Sequence, residues 1–187
     1  MRVEIMDTTL RDGEQTSGVA YTAAEKLNLA KILLDEVKVD RIEVASARIS
    51  DGEKDAVKRI TKWANENSIL NKVEILGFVD GGRSLEWINE AGGKVINLLT
   101  KGSLNHLEGQ LKKTPDEHIL DIKASLDKAK ELGIETNIYL EDWSNGMTNS
   151  KNYVFYLLDQ LKDTEIKRFM LPDTLGILNP DTITGFL

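Results

Sequence analysis

The stretch Ile5-Met-Asp-Thr-Thr-Leu-Arg-Asp-Gly-Glu-Gln15 opens as a short apolar strand and runs directly into a cluster of charge and a glycine. In a parallel α/β sheet that junction, the carboxyl end of a strand, is where catalytic side chains collect. Arg11 offers a planar fork that matches an oxyanion or a carboxylate, and Asp12 offers a hard oxygen ligand for a divalent metal. An Arg-Asp pair after a strand is often only an ion pair, but the eleven-residue context around it favours a functional role.

Working outward, strand-like runs rich in Val, Ile, Leu and aromatic residues fall at 3–6, 40–45, 73–79, 95–100, 135–140 and 167–171. Helical patterns separate them. Thr22-Ala-Ala-Glu25 is a capping box that opens a helix with Leu27, Ala30, Leu33, Leu34 and Val37 on its apolar side. Ser50-Asp-Gly-Glu53 opens another with Val57, Ile60 and Ala64. Ser84 is expected to cap a short helix ending near Gly92. Thr114-Pro-Asp-Glu117 opens one with Ile119, Ile122, Leu126 and Ala129, closed by Gly133. Ser150 is placed to cap a helix carrying Val154, Leu157, Leu158 and Leu161, and Asn179-Pro180 starts a last one.

Six strand-helix units in alternation imply a parallel sheet with right-handed crossovers, either a doubly wound sheet or a (β/α)8 barrel cut short. The polar residues favour the barrel. Arg11 and Asp12 follow the first strand, Glu43 lies in the second, Glu141 follows the fifth, and Asp173 and Thr174 follow the sixth. A barrel gathers all such ends around one pocket, whereas an open sheet joins mainly those at its switch point. No glycine-rich dinucleotide fingerprint supports the open sheet.

Composition narrows the function classes. A net charge of −7 argues against non-specific nucleic-acid binding, and the lysines are scattered along amphipathic stretches. Trp63, Trp87 and Trp143 are too separated for a base-stacking platform. With no cysteine there is no disulfide framework, no thiolate zinc site and no nucleophilic Cys. No apolar run is long enough to span a bilayer and no leader pattern precedes the first strand, so a soluble, cytoplasmic protein acting on small molecules is expected.

Four ordered motifs carry a specific resemblance: Asp7-Thr-Thr-Leu-Arg-Asp-Gly-Glu-Gln15, Arg41-Ile-Glu-Val-Ala-Ser46, Leu140-Glu-Asp142 and Leu171-Pro-Asp-Thr-Leu-Gly176. Together they resemble the metal-dependent TIM-barrel Claisen-condensing enzymes. That family comprises the 2-isopropylmalate, homocitrate and citramalate synthases, with 3-hydroxy-3-methylglutaryl-CoA lyase as a relative. Within it, Ile42-Glu-Val-Ala-Ser-Ala-Arg48, Gly77-Phe-Val-Asp80, Leu98-Leu-Thr-Lys-Gly-Ser103 and Tyr139-Leu-Glu-Asp-Trp-Ser-Asn-Gly146 look most like the citramalate synthases.

The resemblance implies an acyltransferase of branched-chain amino-acid (isoleucine) biosynthesis. It would join acetyl-CoA to pyruvate and hydrolyse the thioester, giving (R)-citramalate and CoA, as a homodimer. A divalent metal (Mn, Zn, Mg or Co) held partly by Asp12 would chelate the 2-oxo acid. Arg11 would stabilise charge on the keto oxygen, and Glu141 would take a methyl proton. Glu43 would orient Arg11 or a metal-bound group, and Thr174 would hold the substrate carboxylate. Leu76, Leu99 and Tyr139 would wall the pocket so that a methyl fits and a branched chain is crowded. Plainer readings stand beside these: Glu141 as a solvated or capping carboxylate in a polar loop, the leucines as barrel core, His106 as a loop or capping residue. His118, one residue past a capping box, is expected to be exposed and structural.

Family members complete the metal site with a His-x-His pair on the seventh strand, and this sequence has none. A (β/α)8 domain takes about 250 residues. The chain is therefore expected to be the N-terminal three-quarters of a catalytic barrel, with the last two βα units and any regulatory domain absent. The alternatives are a 2-isopropylmalate or homocitrate synthase, or a non-catalytic partial barrel that needs a partner chain.

Overall fold

The computed structural model describes residues 3–186. Six strands, β1 (Met6–Asp7), β2 (Arg41–Ser46), β3 (Val73–Phe78), β4 (Val95–Lys101), β5 (Glu135–Glu141) and β6 (Ile166–Met170), form one parallel sheet in sequential order. Sequential order with right-handed crossovers puts every crossover helix on the same face, so the other face curls inward as a barrel wall. A doubly wound sheet would reverse its order at a switch point, and none occurs among the described residues. The architecture is six of the eight units of a (β/α)8 barrel.

The helices are α1 (Ala23–Lys31), α2 (Asp51–Glu66), α3 (Arg83–Glu90), α4 (Leu104–His106), α5 (Pro115–Leu132), α6 (Trp143–Asn149), α7 (Lys151–Leu161) and α8 (Pro180–Phe186). Both reciprocal capping boxes form: the Thr22 and Thr114 hydroxyls accept the N–H of Glu25 and Glu117, whose carboxylates accept the Thr N–H at 2.7 and 2.8 Å. Gly133 ends α5 at φ 61°, a left-handed conformation that glycine adopts without strain. The core lies between the outer face of the sheet (Ile42, Val44, Ile75, Ile96, Leu98, Ile138) and the helices (Ile60, Ile88, Ile122, Leu157), all with at most 2 % exposure. Each such side chain contributes about 1.5–3 kcal/mol of burial.

Several expectations need correction. The first strand is Met6–Asp7, and Val3 and Ile5 are exposed, because β1 pairs only with β2 among the described residues. After Lys31, α1 continues as π-helix through Ile32–Val37. The wider turn rotates the apolar stripe, and Val37 faces solvent. Ser84 does not cap α3, which starts after Gly82; its hydroxyl donates to Asp80 and accepts the Phe78 N–H. Ser150 stands at the start of α7, but its hydroxyl turns back to Gly146 O and accepts the Leu104 N–H. The polar run after Glu141 is a helix, α6.

Candidate active site

Beyond β1 the chain turns sharply: the N–H groups of Arg11, Asp12 and Gly13 all reach Thr8 O, at 3.1, 2.8 and 3.1 Å. A buried ammonium fixes this turn. Lys26 of α1, 1 % exposed, donates to Leu10 O at 3.0 Å and Val44 O at 3.4 Å, and pairs with Glu14 at 2.5 Å and Glu53 at 2.6 Å. The Arg11 guanidinium is thereby held at the barrel mouth, its Nε on Glu43 Oε2 at 2.5 Å and its Nη1 on Asp12 Oδ1 at 2.9 Å.

Glu43 is fully buried, and its second oxygen accepts from Asn97 Nδ2 at 2.6 Å. Burial raises the Glu43 pKa, while Arg11 and the Asn97 hydrogen bond pull it back. For Arg11 burial opposes the charge, and the attraction of Glu43, its hydrogen bond and Asp12 outweigh it, raising the pKa. Glu43 is thus hydrogen-bonded on one side to Arg11 and on the other to Asn97. The signal that sequence reading missed is what orients Glu43. Asn97 and Asn137 are lateral partners on the inner face of β4 and β5, a pairing that neither strand shows when read alone.

Register places the wall. Leu99, Tyr139 and Met170 are lateral partners, with Phe78 opposite Leu99, so these four line one inward row. Leu76 pairs with Asn97 and lies one row deeper. Leu76, Leu99 and Tyr139 therefore share the inner face with Glu43. Burial, then the Glu43 charge, pushes the Tyr139 phenol upward, with Arg11 acting in the opposite sense. Tyr139 stays a neutral hydroxyl beside the guanidinium.

Glu141 ends β5 directly opposite Lys101 of β4 and is ion-paired to its ammonium, which also reaches Gln110 at 2.7 Å. Thr174 is brought to the same rim, where its hydroxyl accepts the Asp142 N–H at 2.9 Å. Asp142, buried at φ 64°, accepts from Ser103 Oγ at 2.7 Å and Asn145 at 2.8 Å, and His106 Nε2 lies 3.5 Å from it. His106 thus sits at the mouth against a buried carboxylate. His118 is not exposed, contrary to expectation: it is 1 % accessible, and its Nε2 accepts the Lys101 N–H at 3.2 Å. Burial lowers its pKa to about 4, so the imidazole is neutral.

The metal expectation meets only one ligand. Asp12, 62 % exposed at its side chain, offers a carboxylate, and no group of three or more His, Asp or Glu residues able to hold a metal exists among the described residues. These residues do not by themselves fit a complete metal centre. Nor is any helix among them long and apolar enough to cross a membrane.

Comparison with known proteins agrees with this geometry. The chain is 36% identical over 96% of its length to the (R)-citramalate synthase CimA of Methanocaldococcus jannaschii, and 31% identical over 98% to a 2-isopropylmalate synthase of Leptothrix cholodnii. It spans 35% of each of those relatives' own length. Among solved structures it overlays the HMG-CoA lyase of Bacillus subtilis with a TM-score of 0.75 at 21% identity, covering 97% of this chain and 61% of that one. An HMG-CoA lyase of Acinetobacter baumannii, in complex with coenzyme A and 3-methylmalate, matches with a TM-score of 0.66 at 17% identity, over 97% of this chain and 60% of that one. These likenesses support the barrel architecture. The HMGL-like family model matches residues 2–187, and the chain belongs to that family.

Proposed function

We propose that this protein condenses acetyl-CoA with pyruvate, and that the barrel described here carries the residues for carbon–carbon bond formation. The observation that carries the reading is Arg11, bonded at the mouth to buried Glu43 and close to Tyr139, whose lateral partner on the inner wall is Leu99. A guanidinium beside an apolar wall suits a short 2-oxo acid, charged at one end and bearing a methyl at the other.

In this reading Arg11 binds pyruvate through its oxygens and stabilises the negative charge that collects on the keto oxygen as C2 is attacked. Glu141 takes a methyl proton from acetyl-CoA. The resulting enolate carbon bonds to C2, the former keto oxygen takes up a proton, and water then cleaves the thioester to release citramalate and CoA. Lys101 holds Glu141 at the rim, and Thr174 receives the substrate carboxylate. A divalent metal, with Asp12 as one ligand, would add polarisation of the keto group; its other ligands are not among the described residues.

The 36% identity to a citramalate synthase supports pyruvate as substrate. The relatives described as 2-isopropylmalate synthases, 29–32% identical, favour 2-oxoisovalerate as the second reading. CoA release by the full-length protein decides between them. With pyruvate, kcat/KM should exceed that with 2-oxoisovalerate by at least roughly 10–200-fold, the range an apolar pocket achieves for one methylene, since the two substrates differ by two. Equal or reversed preference would sink the citramalate reading, and Leu99→Ala should narrow the gap.

A further inference from the structure

The interior of a (β/α)8 barrel is ordinarily filled by layers of branched apolar side chains. Here a row of amides runs through it. Asn97 and Asn137 are fully buried lateral partners on β4 and β5, with Arg168 of β6 next in the same row. Their hydrogen bonds all run in one direction: Arg168 Nη1 donates to Asn137 Oδ1 at 3.3 Å, Asn137 Nδ2 to Asn97 Oδ1 at 2.9 Å, and Asn97 Nδ2 to Glu43 Oε1 at 2.6 Å. Glu43 Oε2 then receives Arg11 Nε.

We propose that Asn97 and Asn137 are positioning residues that aim the Arg11 guanidinium, acting through Glu43. The physical reason is the fixed sense of the row. An Asn side chain can flip, presenting oxygen instead of N–H, and a buried carboxylate facing an amide oxygen would be repelled. The Arg168 cation accepts only one orientation of Asn137, since it has no acceptor of its own. That choice propagates to Asn97, whose N–H₂ must face Glu43. Each amide is satisfied as donor and acceptor, so the row carries no unpaired polar group that would make its burial unfavourable. Glu43 is left with one oxygen held by Asn97 and the other committed to Arg11, and it cannot swing without breaking both bonds.

The inference rests on the proposed role of Arg11 in binding the 2-oxo acid, and its test separates the two. Asn97→Leu and Asn137→Leu, close in shape and unable to hydrogen-bond, are compared with Ile96→Ala, a core change on the helix side of β4. The first readout is the NMR resonance of Arg11 Nε–H, which reports its bond to Glu43 whatever the substrate. It should move in Asn97→Leu, move less in Asn137→Leu, and stay put in Ile96→Ala. The second readout is steady-state kinetics of the full-length enzyme. KM for pyruvate should rise, and kcat/KM should fall roughly ten- to a hundredfold, as a small misplacement of a substrate-positioning group produces. KM for acetyl-CoA should be unchanged. An Arg11 resonance that does not move in either variant overturns the proposal, as does a moved resonance with unaltered kinetics. If the unsubstituted enzyme does not use a 2-oxo acid, the assigned role of Arg11 fails, and the resonance alone still decides the amide row. Should Asn97→Leu not fold, the Asn137→Leu arm decides.

Discussion

His118 can accept the Lys101 N–H only while its ring is neutral, and that dictates how the protein responds to acid. Its pKa is about 4 in the folded chain against an ordinary value of 6.5. Above pH 6.5 both states carry a neutral ring and His118 costs nothing. As pH falls from 6.5 towards 4, the unfolded chain binds a proton that the folded one refuses, and stability drops by up to about 3 kcal/mol. His118→Gln keeps an acceptor but cannot titrate. Urea unfolding at pH 7 and pH 4.5 should therefore show a steeper loss for the native sequence than for this variant, and parallel losses would refute the assignment. Lys26 makes a second case. Lys26→Met leaves Glu14 and Glu53 facing each other without their shared cation, so it should cost about 3–5 kcal/mol, with part recovered when Glu14→Gln is added. Denaturant midpoints of the native sequence and these two variants measure this. Neither residue's role was visible in sequence. A lysine at the buried position of a helix and a histidine one residue past a cap both read as surface, because the oxygens or N–H that satisfy them come from other elements.

At the scale of elements the sequence was far more legible. The strand runs at 40–45, 73–79, 95–100 and 135–140 fall within a residue of β2 to β5, and both Thr-x-x-Glu boxes open their helices as expected. Those signals are local: propensity, alternation and a cap three residues away. What escaped was contextual, as with α6, whose polar Trp-Ser-Asn-Gly start looks like a loop until the surroundings are known. Its path is fixed by backbone against backbone. A Cβ on Gly146 would collide with Gly102 O, and one on Gly102 would stand 2.5 Å from Leu140 O. No side chain can yield at either place. Gly146→Ala should therefore destabilise by about 1–3 kcal/mol, since overpacking forces backbone shifts. It should also lower turnover, because α6 begins two residues after Glu141. Gly109→Ala is the contrast: an added Cβ there meets nothing within 4 Å, and it should stabilise by about 0.4–1 kcal/mol. Thermal melts of the two variants should move in opposite directions, and a shared sign would show that the close approach of α6 is not the constraint.

Across the whole molecule, the feature most legible in the sequence was the gathering of strand ends, and the one it could not show was the interior. Arg11 and Tyr139 come together over buried Glu43, while Glu141 and Thr174 stand at the carboxyl ends of β5 and β6. The amide row beneath them depends on lateral register, which no single strand reveals. The same register leaves one side of the wall uncovered. Among the described residues β1 pairs only with β2 and β6 only with β5, and the inward row of Phe78, Leu99, Tyr139 and Met170 is half-buried. Across that side run the Arg168–Glu4 ion pair at 3.3 Å and the Arg41–Glu4 pair at 3.4 Å beside it, both near the surface and weak in water. Unpaired edges and a half-buried apolar row are surfaces on which a second chain can add. The 187-residue polypeptide on its own should therefore self-associate, with a weight-average mass in sedimentation equilibrium that climbs above 20.9 kDa as concentration rises. High salt, which screens the Glu4 pairs, should strengthen rather than reverse the association, because burial of the apolar row drives it. A mass that stays at 20.9 kDa across the concentration range would mean that the six-unit wall is self-sufficient and that the inner row is not an adhesive surface.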